Sequence, residues 1–331
     1  MIFAPTRFFP RAFSIAAGLG ILASVNTAFA QEEAYPSKPV SILVGFAAGG
    51  TTDVLARIVA KGLGDELGES FVVENKLGAG SNIATDQLLR KKPDGYTLMM
   101  MAVTTTINQT LYKNARFNIE KDIDPIVLVA KVPNILVASK NTPYNNVKEF
   151  VDYAKANPGK VNYGSSGAGT SIHLAGELFK QQAGIDMLHI PFNGSGPSMT
   201  ALVGGQTDVV FENMPAAVPQ IKAGKIKAFA VTTDKRSEAF PDVPTLKESG
   251  YPQFNVSSWF GLVAPKGTPK PIIDKINATV EKILAKPEVI KQLEGLGAEA
   301  EKNTPEQFSK FVNDETKTWG DVIRKGNISI E

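Results

Sequence analysis

The 331-residue chain has no cysteine, which excludes disulfides and thiol chemistry. Histidine is nearly as scarce: only His173 and His189 could serve as an imidazole base. They do not have metal-ligand spacing on a helix, so an imidazole-built metal centre has no foundation. No internal repeat and no low-complexity run is evident. The apolar segment Ala12–Val25 (AFSIAAGLGILASV) is too short to span a bilayer. Net charge is lacking as well. Residues 1–30 carry Arg7 and Arg11 and no acid, and the rest of the chain has 33 basic against 33 acidic residues. A nucleic-acid partner therefore loses its main support.

The familiar chemical signatures are missing too. A phosphate-cradling loop needs Gly-Lys-Ser/Thr, and neither Gly49-Gly50-Thr51 nor Gly167-Ala168-Gly169 has the lysine. Gly78-Ala79-Gly80 runs into Ser81-Asn82-Ile83, so the dinucleotide fingerprint lacks its third glycine. In Gly164-Ser165-Ser166-Gly167 the closing glycine of a hydrolase elbow is replaced by Ala168. The acidic residues are scattered, and Asp53 suits the first turn of a helix better than the role of general base.

What is present starts with a secretory leader. Arg7 and Arg11 precede the apolar stretch, and Ala28-Phe29-Ala30 fits a small-x-small cleavage site. Residues 1–30 are expected to be a signal peptide cut after Ala30, leaving a periplasmic protein. The remaining length suggests two domains with one core each.

The chain is organised around VSILVGFAAGGTTD (Val40–Asp53). Val40–Val44 is a β-branched strand. Gly45–Gly50 is a turn of small residues, and Thr51 and Thr52 are candidate caps of the helix that follows. A strand, a glycine turn and a helix start leave unpaired backbone N–H groups aimed at one point, which is a ready anion site. Gly164–Ser171 (GSSGAGTS) repeats the design after the strand Val161–Gly164, and Phe192–Gly196 (FNGSG) follows the strand Met187–Pro191. Thr104-Thr105-Thr106 closes the strand Thr97–Val103 with three hydroxyls. These loops hold no arginine. Recognition would then rest on backbone N–H groups, hydroxyls, helix dipoles and water.

Strands alternate with helices along the chain, and Ile126–Lys131 and Ile135–Ser139 read as two separate strands. Repeated βα units imply an α/β fold with a mostly parallel sheet covered on both faces. One half is built first. The chain crosses to a second half near Ser139 and returns near Asn255–Trp259, which makes a cleft with a hinge. We expect 31–138 plus 259–331 to form lobe 1 and 139–258 to form lobe 2. Ligands in such sheets sit at the carboxyl ends of the strands, where all three glycine-hydroxyl loops lie.

The motifs YPSKPV (Tyr35–Val40), GFAAGGTTD (Gly45–Asp53), ENKLGAG (Glu74–Gly80), PDGYTL (Pro93–Leu98), YGSSGAGTSIHLAGELF (Tyr163–Phe179), HIPFNGSGPSMTALVGGQTDVVFEN (His189–Asn213) and VPTLKESGYP (Val243–Pro252) span the whole chain after the leader. Together they resemble the tripartite tricarboxylate transporter receptors, the Bug-type periplasmic solute-binding proteins. The resemblance implies a two-lobed periplasmic-binding-protein fold, the type II Venus flytrap, with a ligand cleft between the lobes. It implies capture of a small organic carboxylate (a dicarboxylate, acidic amino acid or aromatic acid) and delivery to integral membrane permease subunits. It further implies a monomer with no catalysis and no cofactor. In that family the ligand carboxylate is held largely by the loops that here are Gly45–Asp53 and Gly164–Thr170, partly through water. Gly45-Phe46 stands where the family usually has Pro-Phe or Pro-Pro.

The expected ligand residues are Phe46, Ala47, Thr51 and Asp53 from the first loop, and Ser165, Ser166, Gly167 and Thr170 from the second. Thr104 and Thr105 join them at the end of the third strand. Asn193, Gly194 and Asp208 come from the second lobe, with His173 one turn into its helix. Asp208 is expected to orient a loop or touch ligand, and His189 to serve structure. Two other functions compete. One is an exported serine hydrolase using Ser166 and His173. The other is a partner that presents ligand to a membrane sensor kinase.

Overall fold

The structure is a computed structural model that describes residues 35–326, so the leader and its cleavage site lie outside the described residues. The first half opens with β1 (Val40–Val44), α1 (Thr51–Leu67), β2 (Phe71–Asn75), α2 (Asn82–Leu89), β3 (Thr97–Ala102), α3 (Val103–Leu111) and a single turn α4 (Ile119–Asp122). The long β4 (Ile123–Ser139) leads to α5 (Val147–Ala156), β5 (Val161–Ser165), α6 (Ser171–Ala183), β6 (Met187–Pro191), α7 (Ser195–Val203), β7 (Val209–Asn213), α8 (Met214–Lys222) and β8 (Ile226–Val231). The chain ends with β9 (Ser257–Pro265), α9 (Lys270–Leu284), α10 (Pro287–Gly295) and α11 (Pro305–Gly326). None of the described helices is long and apolar enough to cross a membrane.

Strand order is β2-β1-β3-β9-β4-β7-β5-β6, with β8 also on β4. The sheet is mixed, and this corrects the expected mostly parallel one. β1 pairs with β2 and β3, and β5 with β6 and β7, in parallel, whereas every pairing of β4 and β9 is antiparallel. The difference lies in the crossing strands. β4 carries the chain out of the first half and β9 carries it back, so they run in opposite directions side by side.

β4 is one strand where two were expected. It pairs with β9 from Ile123 to Pro133, then with β7 and β8 from Asn134 to Ser139. The run Ile123–Ser139 is buried nearly throughout, and Pro133 keeps its place because the strand changes partners there. Two other expectations are corrected by local geometry. Gly50, not Thr51 or Thr52, is the cap of α1, and both threonines lie inside the first turn. Thr104, Thr105 and Thr106 lie in the first turn of α3 rather than at a strand end.

One cluster lies wholly in the second half, and the largest is centred on the first half and runs on into the second through Ile172, Leu202 and Val210. In the second, Phe150, Tyr163, Phe179, Phe211 and Phe254 are wholly buried, with Phe179 and Phe211 rings 5.3 Å apart. In the first, Val40, Ile42, Val44, Leu55, Val59 and Leu63 pack β1 against α1, and Ile276, Val280 and Ile283 of α9 close over them. This burial supplies the main favourable term of folding without disulfides. Gly45 has a steric reason. A Cβ there would lie 1.9 Å from Ser81 Oγ, so the loop after β1 can pass the start of α2 only as glycine.

Candidate functional site

Five of the helices follow directly on the carboxyl ends of strands, and their N-termini converge. Gly50, Thr51 and Thr52 start α1, and Ala102 and Thr104 start α3. Thr170 and Ser171 start α6, Ser195 starts α7, and Asn213 caps α8. All of these line one chamber, completed by Phe46, Ser166, Ser258 and Phe260. Its lining contains no ionised side chain. Five helix N-termini, each the positive end of a helix dipole, border this common volume. The volume is about 20 Å³, room for roughly one water. Beside it, sharing Phe46 and Ser166, lies a recess of about 190 Å³ lined also by Gly45, Gly78, Gly80, Ser81, Gly167, Ala168, Pro191, Phe192 and Asn193.

The two halves meet over the chamber. Ala47 N–H donates to the Asn193 carbonyl at 3.0 Å. Gly194, at φ 132°, comes so near that a Cβ would lie 2.7 Å from Ala47 N. Gly50 faces Ser195 across the gap.

Of the expected residues, Phe46, Thr51, Thr104, Ser166 and Thr170 line the chamber, and Gly167 and Asn193 line the recess. Ala47 and Gly194 form the contact between halves. Thr51 Oγ1 is buried without a partner and so is free to donate. Thr170 is engaged: its Oγ1 donates to Gly167 O at 2.7 Å and accepts from His173 N–H at 3.2 Å, capping α6.

Other expected residues stand behind the lining. The Asp53 carboxylate accepts from Gly49 N–H, from Asn75 Nδ2 and twice from Arg57, each at 2.9–3.0 Å. Burial by itself would raise its pKa, but the bonds from Arg57, Gly49 and Asn75 outweigh it and hold the carboxyl below its ordinary value. Asp53 therefore braces the first loop from the rear. Thr105 is buried without a partner and is not in the lining. Ser165 is wholly buried, its Oγ 2.6 Å from His189 Nε2 while accepting from Gly167 N–H at 3.1 Å.

His173 Nδ1 accepts from Gly169 N–H, and its ring stacks on His189 with centroids 4.2 Å apart. Burial lowers the pKa of both, and that of His189 falls to about 4, so the stack is neutral at physiological pH. Asp208 lies away from the chamber. Its Oδ2 accepts from Asn162 N–H at 2.8 Å, joining the starts of β5 and β7, while the chamber is at their far ends.

Sequence reasoning did not name Gly50, Thr52, Ala102, Ser171, Ser195, Asn213, Ser258 and Phe260 among the ligand residues. Ser195 was within reach, since it lies in the third glycine-hydroxyl loop, Phe192–Gly196. Asn213, two residues before Pro215, is a helix-start signal. Ser258 and Phe260 had no local signal, because they reach the chamber through the pairing of β9 with β3, where Ala102 faces Phe260.

Residues 55–328 match the model of the tripartite tricarboxylate transporter family receptor. The chain is similar to the solved periplasmic binding protein BugD, at 39% identity and TM-score 0.86, over 89% of this chain and 99% of that one. It is similar to an R. palustris protein solved with adipate, at 34% identity and TM-score 0.86, over 89% and 99%. MatC from Rhodopseudomonas palustris, with bound malate, matches at 34% identity and TM-score 0.83, over 87% and 100%.

Proposed function

Since the chain belongs to the tripartite tricarboxylate transporter receptor family, we propose that it captures a small organic carboxylate in this chamber and hands it to an integral membrane permease. The observation that carries this is the convergence of five helix N-termini on a volume with no ionised side chain. Such a site binds an anion through N–H donors and dipoles and needs no counter-charge. Adipate and malate in two relatives support the ligand class. The site residues we assign are those of the lining, with Ala47, Gly194 and Asp53 shaping it.

The chamber as it stands is too small for such an acid, so the lobes part to admit one and close again. We place the hinge where β4 changes partners, at Pro133–Asn134, and where the chain returns, at Val256–Ser257. The lobes are then residues 35–133 with 257–326, and 134–256. The leader's sequence and the likeness to BugD support a periplasmic location.

We read the site as one for binding rather than chemistry. Ser166 has no imidazole partner, and the serine that does, Ser165, is wholly buried. A thermal-shift panel of dicarboxylates, acidic amino acids and aromatic acids tests the proposal. Ligand at a hundred times its Kd should stabilise the native state by about 2.7 kcal/mol. Unchanged melting with every acid would contradict it.

A further inference from the structure

Behind the chamber wall lies an acid that the carboxylate reading does not use. Glu212, on β7, is wholly buried. Its Oε1 accepts from Ser195 Oγ at 2.6 Å and from Asn213 N–H at 2.8 Å, and its Oε2 has no partner. Burial raises its pKa to about 7 against the lowering effect of those two bonds, so it samples both protonation states near neutrality.

The arrangement fixes the direction of one hydrogen bond. While Glu212 is ionised both of its oxygens can only accept, so Ser195 spends its single proton on Oε1 beside the Asn213 N–H. What its hydroxyl turns toward the chamber is lone pairs. Ser195 lies opposite the start of α1, where Thr51 has a free hydroxyl to donate. Ser171, also in the lining, spends its proton as well: its Oγ donates to Asn213 Oδ1 at 3.4 Å. The chamber is thus polarised, with free donors on the α1 side and a hydroxyl restricted to accepting on the α7 side.

We propose that Ser195, oriented by Glu212, selects among small carboxylates those that also carry an O–H or N–H donor, that is hydroxy- or amino-acids over plain diacids. The inference rests on the carboxylate reading and sharpens it. The relatives leave the choice open, because malate has such a hydroxyl and adipate has none beyond its carboxyl groups. A ligand lacking the donor leaves the Ser195 acceptor dry and unpaired in the closed chamber, which is the kind of defect that separates close analogues.

The test is calorimetry of the mature chain with malate, aspartate, succinate and adipate. The better of malate and aspartate should bind at least about tenfold tighter than either plain diacid. Ser195→Ala should abolish that preference by weakening the donor-bearing acid about tenfold, with no parallel loss for the plain acids, which are freed of the unpaired acceptor. Ser195→Thr, which keeps the hydroxyl, should retain it. Glu212→Gln, whose amide oxygen can take the place of Oε1, should retain it too, whereas Glu212→Leu, which releases the Ser195 proton, should reduce it. A merely structural role for Ser195 would weaken all acids in parallel. Equal binding of plain and donor-bearing acids by the wild type, or an unchanged ratio in Ser195→Ala, would overturn this inference and leave the carboxylate reading intact. Binding of none of the four acids would overturn both.

Discussion

Loop 45–53 keeps its helix start open, whereas loop 164–171 ties its own down. Both follow a parallel strand, both turn on small residues, and both feed a helix aimed at the same chamber. In the first, the cap is Gly50, which offers no side chain, and Thr51 Oγ1 has no partner. Its rigidity comes from behind, where Asp53 gathers Gly49, Asn75 and Arg57. In the second, Thr170 caps α6 and bonds Gly167, while Ser165 is held by His189 and Gly167. The polar groups of the second loop are largely used on itself. Similar sequence patterns thus end differently: the first loop keeps a hydroxyl unpartnered at the chamber, and the second spends most of its polar groups on itself.

The comparison breaks most readily at the braces. Asp53→Ala removes the acceptor for Gly49 and Asn75, and it should cost about 3 kcal/mol of stability in urea unfolding, with Arg57, being half exposed, adding little. Ser165→Ala should cost only about 1 kcal/mol, because neutral partners are lost. Equal costs would mean that the charged brace is nothing special.

The two threonines sharpen it further. Thr51→Val should leave melting unchanged and weaken a bound carboxylate about tenfold, since it removes a free hydroxyl donor to a charged group. Thr170→Val should do the reverse, losing about 1 kcal/mol of stability as a helix cap while affinity stays within about twofold. Melting and calorimetry on the same two variants would separate the roles, and parallel losses would erase the distinction.

This asymmetry was only partly legible in the sequence. Strand, glycine turn and hydroxyl-rich helix start can be read locally, so both loops were marked in advance, and residues of both border one chamber. Which hydroxyl is spent and which is free depends on the partner across space. Thr51 and Thr170 look alike in a string of letters, yet Gly167 O claims one and nothing claims the other. His189 pairs with Ser165 only because β5 and β6 lie in register, Tyr163 opposite His189. Glu212 looked like any strand residue until β4, α7 and the loop before α7 enclosed it. The mixed sheet was missed for a similar reason: local periodicity marks a strand but says nothing of its direction beside a neighbour.

Effects of pH also differ between regions. In the histidine stack, the folded pKa of His189 is depressed to about 4. The stability it contributes is present above its ordinary value of 6.5 and is lost as pH falls toward 4. Glu212 has the opposite sign. Its pKa is raised from 4.5 to about 7, so its contribution is present below 4.5 and is lost as pH rises through 7. Relative to wild type, Glu212→Gln should gain melting temperature as pH rises from 4.5 to about 7, and His189→Asn should lose it as pH rises from about 4 to 6.5. Flat differences across these windows would remove titration from the account.

The central claim, that a chamber without counter-charge holds a carboxylate by short-range donors, is tested most directly by calorimetry on one acid and its diamide. The acid should be the one with the largest thermal shift, titrated at low and at high salt. The account predicts a diamide at least about a hundredfold weaker, because it cannot accept the full set of N–H bonds. It also predicts an acid affinity that changes by less than about threefold with salt, because buried dipoles are little screened. Equal affinity for acid and diamide, or a steep salt dependence, would contradict it.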